Sequence, residues 1–159
     1  MPATERRPRF DSLAQEAYLS LWRTYDRLRL LEDELFGQHD LTAQQYNALR
    51  LLRARHPDTL PTLAIASRLI SRAPDITRLL DKLEIRGLIE RDRPSDNRRV
   101  VNVGITSAGL ELLGRLDALV RDCHERQLGH MKKKDLQALV GLLKKARLPH
   151  EPDGSAWRS

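Results

Sequence analysis

The sequence predicts a mainly α fold carrying a small β-hairpin (α+β), in the order α-α-α-α-β-β-α-α. Three observations predict it. Apolar residues recur at helical spacing over most of the chain. One pair of short β-type segments flanks an arginine-rich turn between Ile89 and Val103. Explicit helix-start and helix-stop residues separate the helical stretches. The 159 residues suffice for one domain of ordinary size.

Residues 1–10 are polar and proline-containing and read as a flexible tail. From Asp11 to about Gly37, Ala14, Tyr18, Leu21, Tyr25, Leu28 and Leu35 form a stripe near a 3.5-residue period, the pattern of a helix packed on another helix. Leu13, Ala17, Trp22 and Leu31 widen that stripe past one face. A second surface supplied by another subunit explains the width; so does a broad core-facing stripe in a monomer. The next helix opens at Leu41-Thr42-Ala43-Gln44-Gln45-Tyr46. Thr42 and Gln45 make a capping box, and Leu41 with Tyr46 a hydrophobic staple. His56-Pro57-Asp58 stops it near Arg55, because proline cannot continue the ladder.

An extended piece at Thr59-Leu60-Pro61 leads to a short helix with Leu63, Ala66, Leu69 and Ile70 as its apolar residues. A tight turn at Ile70-Ser71-Arg72 follows. Pro74 is expected in the first turn of the next helix, where a missing N–H does no harm. Ile76, Leu79, Leu80 and Leu83 form that helix's buried face, and Gly87 its left-handed C-terminal cap. Leu88–Arg93 and Val100–Ile105 read as strands; in the second, Val101, Val103 and Ile105 alternate with Asn102 and Gly104. Thr106 can cap a long helix to about Leu128, interrupted by Gly129. A last helix runs from about Lys132 to Arg147 with Leu136, Leu139, Val140 and Leu143 inward, and the tail 149–159 reads as flexible.

Composition narrows the function. The formal charge of +6 suits a polyanionic partner, although some membrane-surface proteins share it. No apolar run approaches the ~20 residues that span a bilayer, and no apolar stretch follows the basic start, so neither a membrane span nor a secretory signal is read and a cytoplasmic location is expected. The single cysteine, Cys123, allows no internal disulfide and reads as a buried structural thiol. Aromatic residues are few (4%) and scattered, which disfavours a stacking platform for single strands and favours backbone contact with a duplex.

A helix running into a hairpin with a cationic tip is a winged helix, and two helices joined by a short turn, the second with an apolar back, make a helix-turn-helix. Double-stranded DNA is therefore the expected partner. On the second helix, Ser71, Asp75, Arg78 and Lys82 are expected on one side. Arg78 can donate two bonds to guanine O6 and N7 in the major groove. Arg72, at the expected helix start, suits a phosphate, as do free backbone N–H groups there. Thr77 either donates to a phosphate or is buried. Asp75 is repelled by phosphates unless it accepts from a cytosine amine or braces Arg78. In the wing, Arg98 and Arg99 are the expected minor-groove and phosphate contacts, with Asp96 bracing the loop by pairing with Arg98.

Leu41-Thr42, Ile76-Thr77-Arg78-Leu79-Leu80-Asp81-Lys82-Leu83-Glu84, Gly87-Leu88-Ile89-Glu90-Arg91, Asp96-x-Arg98-Arg99 and Ile105-Thr106-x-x-Gly109 resemble the MarR family of bacterial transcription regulators over about residues 12 to 147. The resemblance implies a homodimer whose N- and C-terminal helices interlock (here 11–40 and 107–148), with two winged helix-turn-helix lobes (here 41–106). It implies binding to a pseudo-palindromic operator, usually as a repressor, and in many members release by small phenolic or other aromatic compounds. This chain departs from the family pattern at Ile70, where glycine is frequent, at Asp75 and at the Lys132-Lys133-Lys134 run, and it lacks the reactive cysteine near the N-terminus that the family's thiol-based peroxide sensors carry.

For such an effector, Trp22, Tyr25, His39 and Tyr46 could line a pocket where the first two helices and the long fifth helix meet the lobe; core packing explains the same aromatics. No histidine pair has i, i+4 spacing, so no metal site is expected. No phosphate loop, H-E-x-x-H or nucleophile elbow is present, so no cofactor and no enzymatic activity are expected. The rival reading is a winged-helix protein-interaction or architectural module without ligand control.

Overall fold

The computed structural model describes residues 9–159, so the expected N-terminal tail lies almost wholly outside the described residues. Six α-helices and a three-stranded sheet follow in the order α1 (Leu13–Gly37), α2 (Ala43–Arg55), β1 (Leu60–Pro61), α3 (Thr62–Arg68), α4 (Ile76–Ile85), β2 (Ile89–Asp92), β3 (Asn102–Ile105), α5 (Ser107–Leu128) and α6 (Lys133–Arg147), closed by a 3-10 turn at Leu148–His150. The expected helices and hairpin are all present.

The extended piece at 59–61 turns out to be a third strand. β1 pairs antiparallel with β3, Leu60 opposite Val103 and Pro61 opposite Asn102, and β3 pairs with β2 on its other edge. Two residues are too short to show alternation, and Pro61 is tolerated because β1 lies at the sheet edge.

Local signals act as written. Thr42 accepts the Gln45 N–H (3.1 Å) while Gln45 accepts the Thr42 N–H (2.9 Å), completing the capping box of α2. Gly87, at φ +71°, ends α4: its N–H donates to the Glu84 carbonyl and that of Leu88 to the Leu83 carbonyl, a Schellman pair. Thr106 caps α5 by accepting the Gly109 N–H (3.2 Å) and donates its hydroxyl to the Gly87 carbonyl (2.5 Å). A Cβ on Gly109 would stand 2.4 Å from the Leu88 carbonyl oxygen and 2.6 Å from Ile105. The Thr106-x-x-Gly109 pattern is therefore the point where α5 seats against the hairpin backbone.

The core lies in the middle of the chain. Leu49 and Leu52 of α2, Ile65 of α3, Leu80 and Leu83 of α4, Ile89, Val103, and Leu113 and Leu116 of α5 are fully buried. Around α3 the inward residues are Ile65 and, at the C-cap, Leu69, whereas Leu63 and, past the helix, Ile70 face solvent, contrary to expectation. Both sets have helical spacing, and with only seven residues the period cannot choose between them.

Two elements differ more. α6 buries no residue within the chain: Leu136, Leu139 and Leu143 are half-covered and Val140 is 67% exposed. On α1 the N-terminal half of the stripe is likewise open, with Leu13, Tyr18, Leu21, Trp22 and Tyr25 all exposed. The segment 149–159 is not featureless. Arg147 lies 5.6 Å over the Trp157 ring and pairs with Glu151 (3.2 Å), while Arg158 donates to the Glu151 carbonyl (2.6 Å).

Candidate nucleic-acid interface

Helix α4 presents its polar side outward because Leu79, Leu80 and Leu83 are consumed by the core. Thr77, Arg78 and Lys82 are exposed on that outer side, which resolves Thr77 in favour of solvent. The helix begins later than expected. Pro74 precedes the cap, and Asp75 is the N-cap, its Oδ1 accepting the Arg78 N–H at 2.9 Å. Asp75 thus braces Arg78 through the backbone, and capping gives this acid a structural use. Ser71 and Arg72 fall in the loop before the helix rather than on its face, and the α3–α4 connection runs from Leu69 to Asp75, longer than a tight turn. That loop is held from α2: Asn47 Oδ1 accepts the Ile70 N–H (2.9 Å) and Gln44 donates to the Arg72 carbonyl (3.3 Å). Ile70 has no left-handed backbone, so glycine is not required there.

The wing tip, 93–101, carries Arg98 and Arg99, both exposed. Among the described residues Asp96 makes no ion pair with Arg98. The loop is braced instead by Arg93 donating to the Arg98 carbonyl (3.1 Å) and by Asn97 Oδ1 accepting the Arg99 N–H (3.2 Å). A backbone amide is a fixed donor, whereas an exposed side-chain pair adds little. Arg72, Arg78, Lys82, Arg98 and Arg99 are free of ion pairs among the described residues, so their charge is available to an outside anion.

The residue that sequence reading passed over is Arg91. It leaves β2 toward α4 and donates from Nε and Nη2 to both oxygens of Glu84 (3.1 and 3.0 Å) and from Nη2 to Asp81 (2.5 Å). Its side chain is 22% exposed. Hydrogen bonding to Arg91 holds the Glu84 carboxyl below its ordinary range, and the same carboxylate raises the Arg91 guanidinium above its own. This bridge fixes the wing strand to the recognition helix. Asp81 and Glu84, three apart on one helix side, were the available signal for a cation nearby.

A cavity of about 380 Å³ opens between α3, α4 and the wing, lined by Pro61, Thr62, Leu63, Thr77, Leu80, Arg91, Arg93, Arg99, Val100 and Val101. A smaller one of about 140 Å³ lies between α1 and α5, beside Cys123. Neither is lined by Trp22, Tyr25, His39 or Tyr46. Trp22 and Tyr25 stand on the open stripe of α1, and Tyr46 stacks on Phe36 at 4.5 Å, its phenol pushed up chiefly by burial. Apolar rings on α1 and α2 serve packing surfaces equally well, and composition cannot separate the two uses. Cys123 is buried, and desolvation raises its thiol, as a structural cysteine requires.

Helix-turn-helix, recognition-helix cations and a braced arginine wing on a helical scaffold define a winged helix-turn-helix protein. Residues 41–101 match the model of the MarR family. A MarR transcription factor from Planctomyces limnophilus is 59% identical, the match covering 86% of this chain and 98% of that one, with a TM-score of 0.69. The S. aureus MepR–DNA complex is 25% identical over 81% of this chain and 95% of that one, with a TM-score of 0.72. Bordetella bronchiseptica BpsR, whose DNA binding is regulated by 6-hydroxynicotinic acid, shares the fold at 22% identity over 88% and 97% of the two chains, with a TM-score of 0.75. The chain belongs to the MarR family of transcription regulators. None of its described helices is long and apolar enough to cross a membrane.

Proposed function

We propose that this regulator binds a pseudo-palindromic operator as a homodimer, represses by occluding a promoter, and is released by a small aromatic effector, acting in the cytoplasm where its DNA target lies. The observation that carries the DNA reading is one lobe bearing Arg78 on its recognition helix and Arg98 with Arg99 on its wing, all exposed and without an ion pair among the described residues. Arg78 reads a base edge, Arg98 and Arg99 engage the minor groove and phosphates, and Ser71, Arg72, Thr77 and Lys82 contact the backbone nearby. The open apolar stripe of α1, with Leu13, Tyr18, Trp22 and Tyr25, and the uncovered Val140 and Leu142 of α6 support a second copy as the partner. Two recognition helices then sit about one DNA turn apart, 34–36 Å.

The 380 Å³ cavity is the better effector site than the α1–α2 aromatics. It pairs apolar walls at Leu63, Leu80 and Val101 with three arginines, a lining suited to an acidic aromatic molecule, and it borders Thr77 and Arg99.

Selection of binding sites from random duplexes tests the proposal. An enriched inverted repeat is expected. Arg78→Ala should weaken that operator by about 1–3 kcal/mol and flatten base preference, while Arg98→Ala should weaken all duplexes alike and lower the salt slope by about 0.9 per lost phosphate contact. Salt-sensitive binding with no enriched repeat would favour the architectural or protein-interaction reading.

A further inference from the structure

One cation at the end of α4 is engaged by the scaffold instead of standing free. Arg86, the C-cap residue of α4, donates from Nη1 to the Asp40 carbonyl (2.6 Å) and from Nη2 to the His39 carbonyl (3.2 Å), across 46 and 47 residues of chain. Those carbonyls form the elbow between α1 and α2. Asp40 there holds a left-handed backbone at φ +53°, uncommon for a residue with a Cβ. The elbow is set from inside by the His39 and Leu41 N–H groups on the Phe36 carbonyl and the Asp40 N–H on that of Gly37. Arg86 attaches α4 to it from outside, one residue before Gly87 turns the chain into the wing.

We propose that Arg86 is a positioning residue that sets the angle of the recognition helix against the α1 scaffold, and thereby the spacing of DNA half-sites the protein accepts. The inference rests on the dimeric operator reading. In a dimer built through α1, the elbow is the joint between the part that fixes the two-fold axis and the part that enters the groove. A planar guanidinium bridging two successive carbonyls fixes an orientation. A lysine ammonium keeps the charge and can grip only as a point.

The test uses the operator obtained by selection, together with versions carrying one base pair more or fewer between half-sites. One base pair turns the half-sites by about a tenth of a helical turn. The unaltered protein should prefer native spacing by about ten-fold or more, a penalty comparable to a mismatch. In Arg86→Ala and Arg86→Lys that ratio should collapse toward one. Because each ratio is taken on a single protein preparation, partial unfolding lowers both affinities and leaves it unmoved. A ratio unchanged in both variants overturns the proposal. Full restoration by lysine also overturns it, since charge alone would then suffice. If the unaltered protein shows no spacing preference, the dimeric operator reading fails, and this inference with it.

Discussion

Two glycines of α5 offer a test in which one substitution has opposite signs on one helix. Alanine in place of glycine gains up to about 1 kcal/mol in a helix, from backbone entropy lost less on folding. At Gly114 an added Cβ meets nothing within 4 Å, so Gly114→Ala should retain that gain. At Gly109 the same methyl would stand 2.4 Å from the Leu88 carbonyl oxygen and 2.6 Å and 3.2 Å from two carbons of Ile105. The Leu88 carbonyl cannot rotate aside, because it accepts the Thr106 N–H. Overpacking of this kind costs about 1–3 kcal/mol, which exceeds the propensity gain and leaves Gly109→Ala less stable by up to about 2 kcal/mol. Chemical denaturation followed by circular dichroism reads both variants, at one fixed protein concentration because dimerisation would add to apparent stability. If the two variants shift the same way, the seating of α5 on the hairpin backbone is wrong.

Acid should loosen the wing: the lowered Glu84 carboxyl contributes stability above its ordinary value of about 4.3 and loses it as pH falls through the depressed folded value. Glu84→Gln should therefore flatten the stability curve below about pH 4.3, measured by denaturation across pH. Thr42→Ala should cost about 1 kcal/mol by opening the capping box of α2, and Thr42→Ser should recover most of it, both read by the same denaturation. Benzoate should weaken operator binding by occupying the arginine-lined cavity, while uncharged benzamide of similar shape should not; equal effects in a fluorescence anisotropy titration would count against a charge-based release.

Where one residue type has one physical use, the chain was readable. Thr42, Gln45, Gly87 and Thr106 bound backbone groups adjacent in sequence, so spacing alone located helix ends, and the apolar back of α4 fixed which side faced out. Reading failed where the partner was distant or the element short. β1 exists because β3 has an edge to pair, α3 is too short for its period to choose a face, and Arg91 looks like any wing cation until Glu84 and Asp81 are brought beneath it. Pro74 stands before the helix rather than in its first turn, because Asp75, which the sequence suggests as a DNA-facing acid, is the N-cap. The open stripes of α1 and α6 are the instructive case. Their period correctly marks apolar faces, yet a single chain does not cover them, so amphipathicity reported a surface to be buried without reporting by whom.

The arginine network also constrains how a ligand in the cavity could act. Arg91 lines that cavity and simultaneously bridges β2 to α4. A guanidinium carries five N–H donors, and the bridge draws on Nε and Nη2 alone, leaving Nη1 outside it. An anion can therefore bind Arg91 without displacing Glu84 or Asp81, and the wing need not come loose from the recognition helix. Arg86, the C-cap of that helix, ties the same C-terminal half to the α1–α2 elbow. With the C-terminal half of α4 held at these points, the effect open to a small anion is local: on the proposed DNA reading it would neutralise part of the charge of Arg93 and Arg99 and occupy the space beside Thr77. Release by this route requires the ligand to be negatively charged, and it requires the operator contacts nearest the wing to weaken before those made by Arg78.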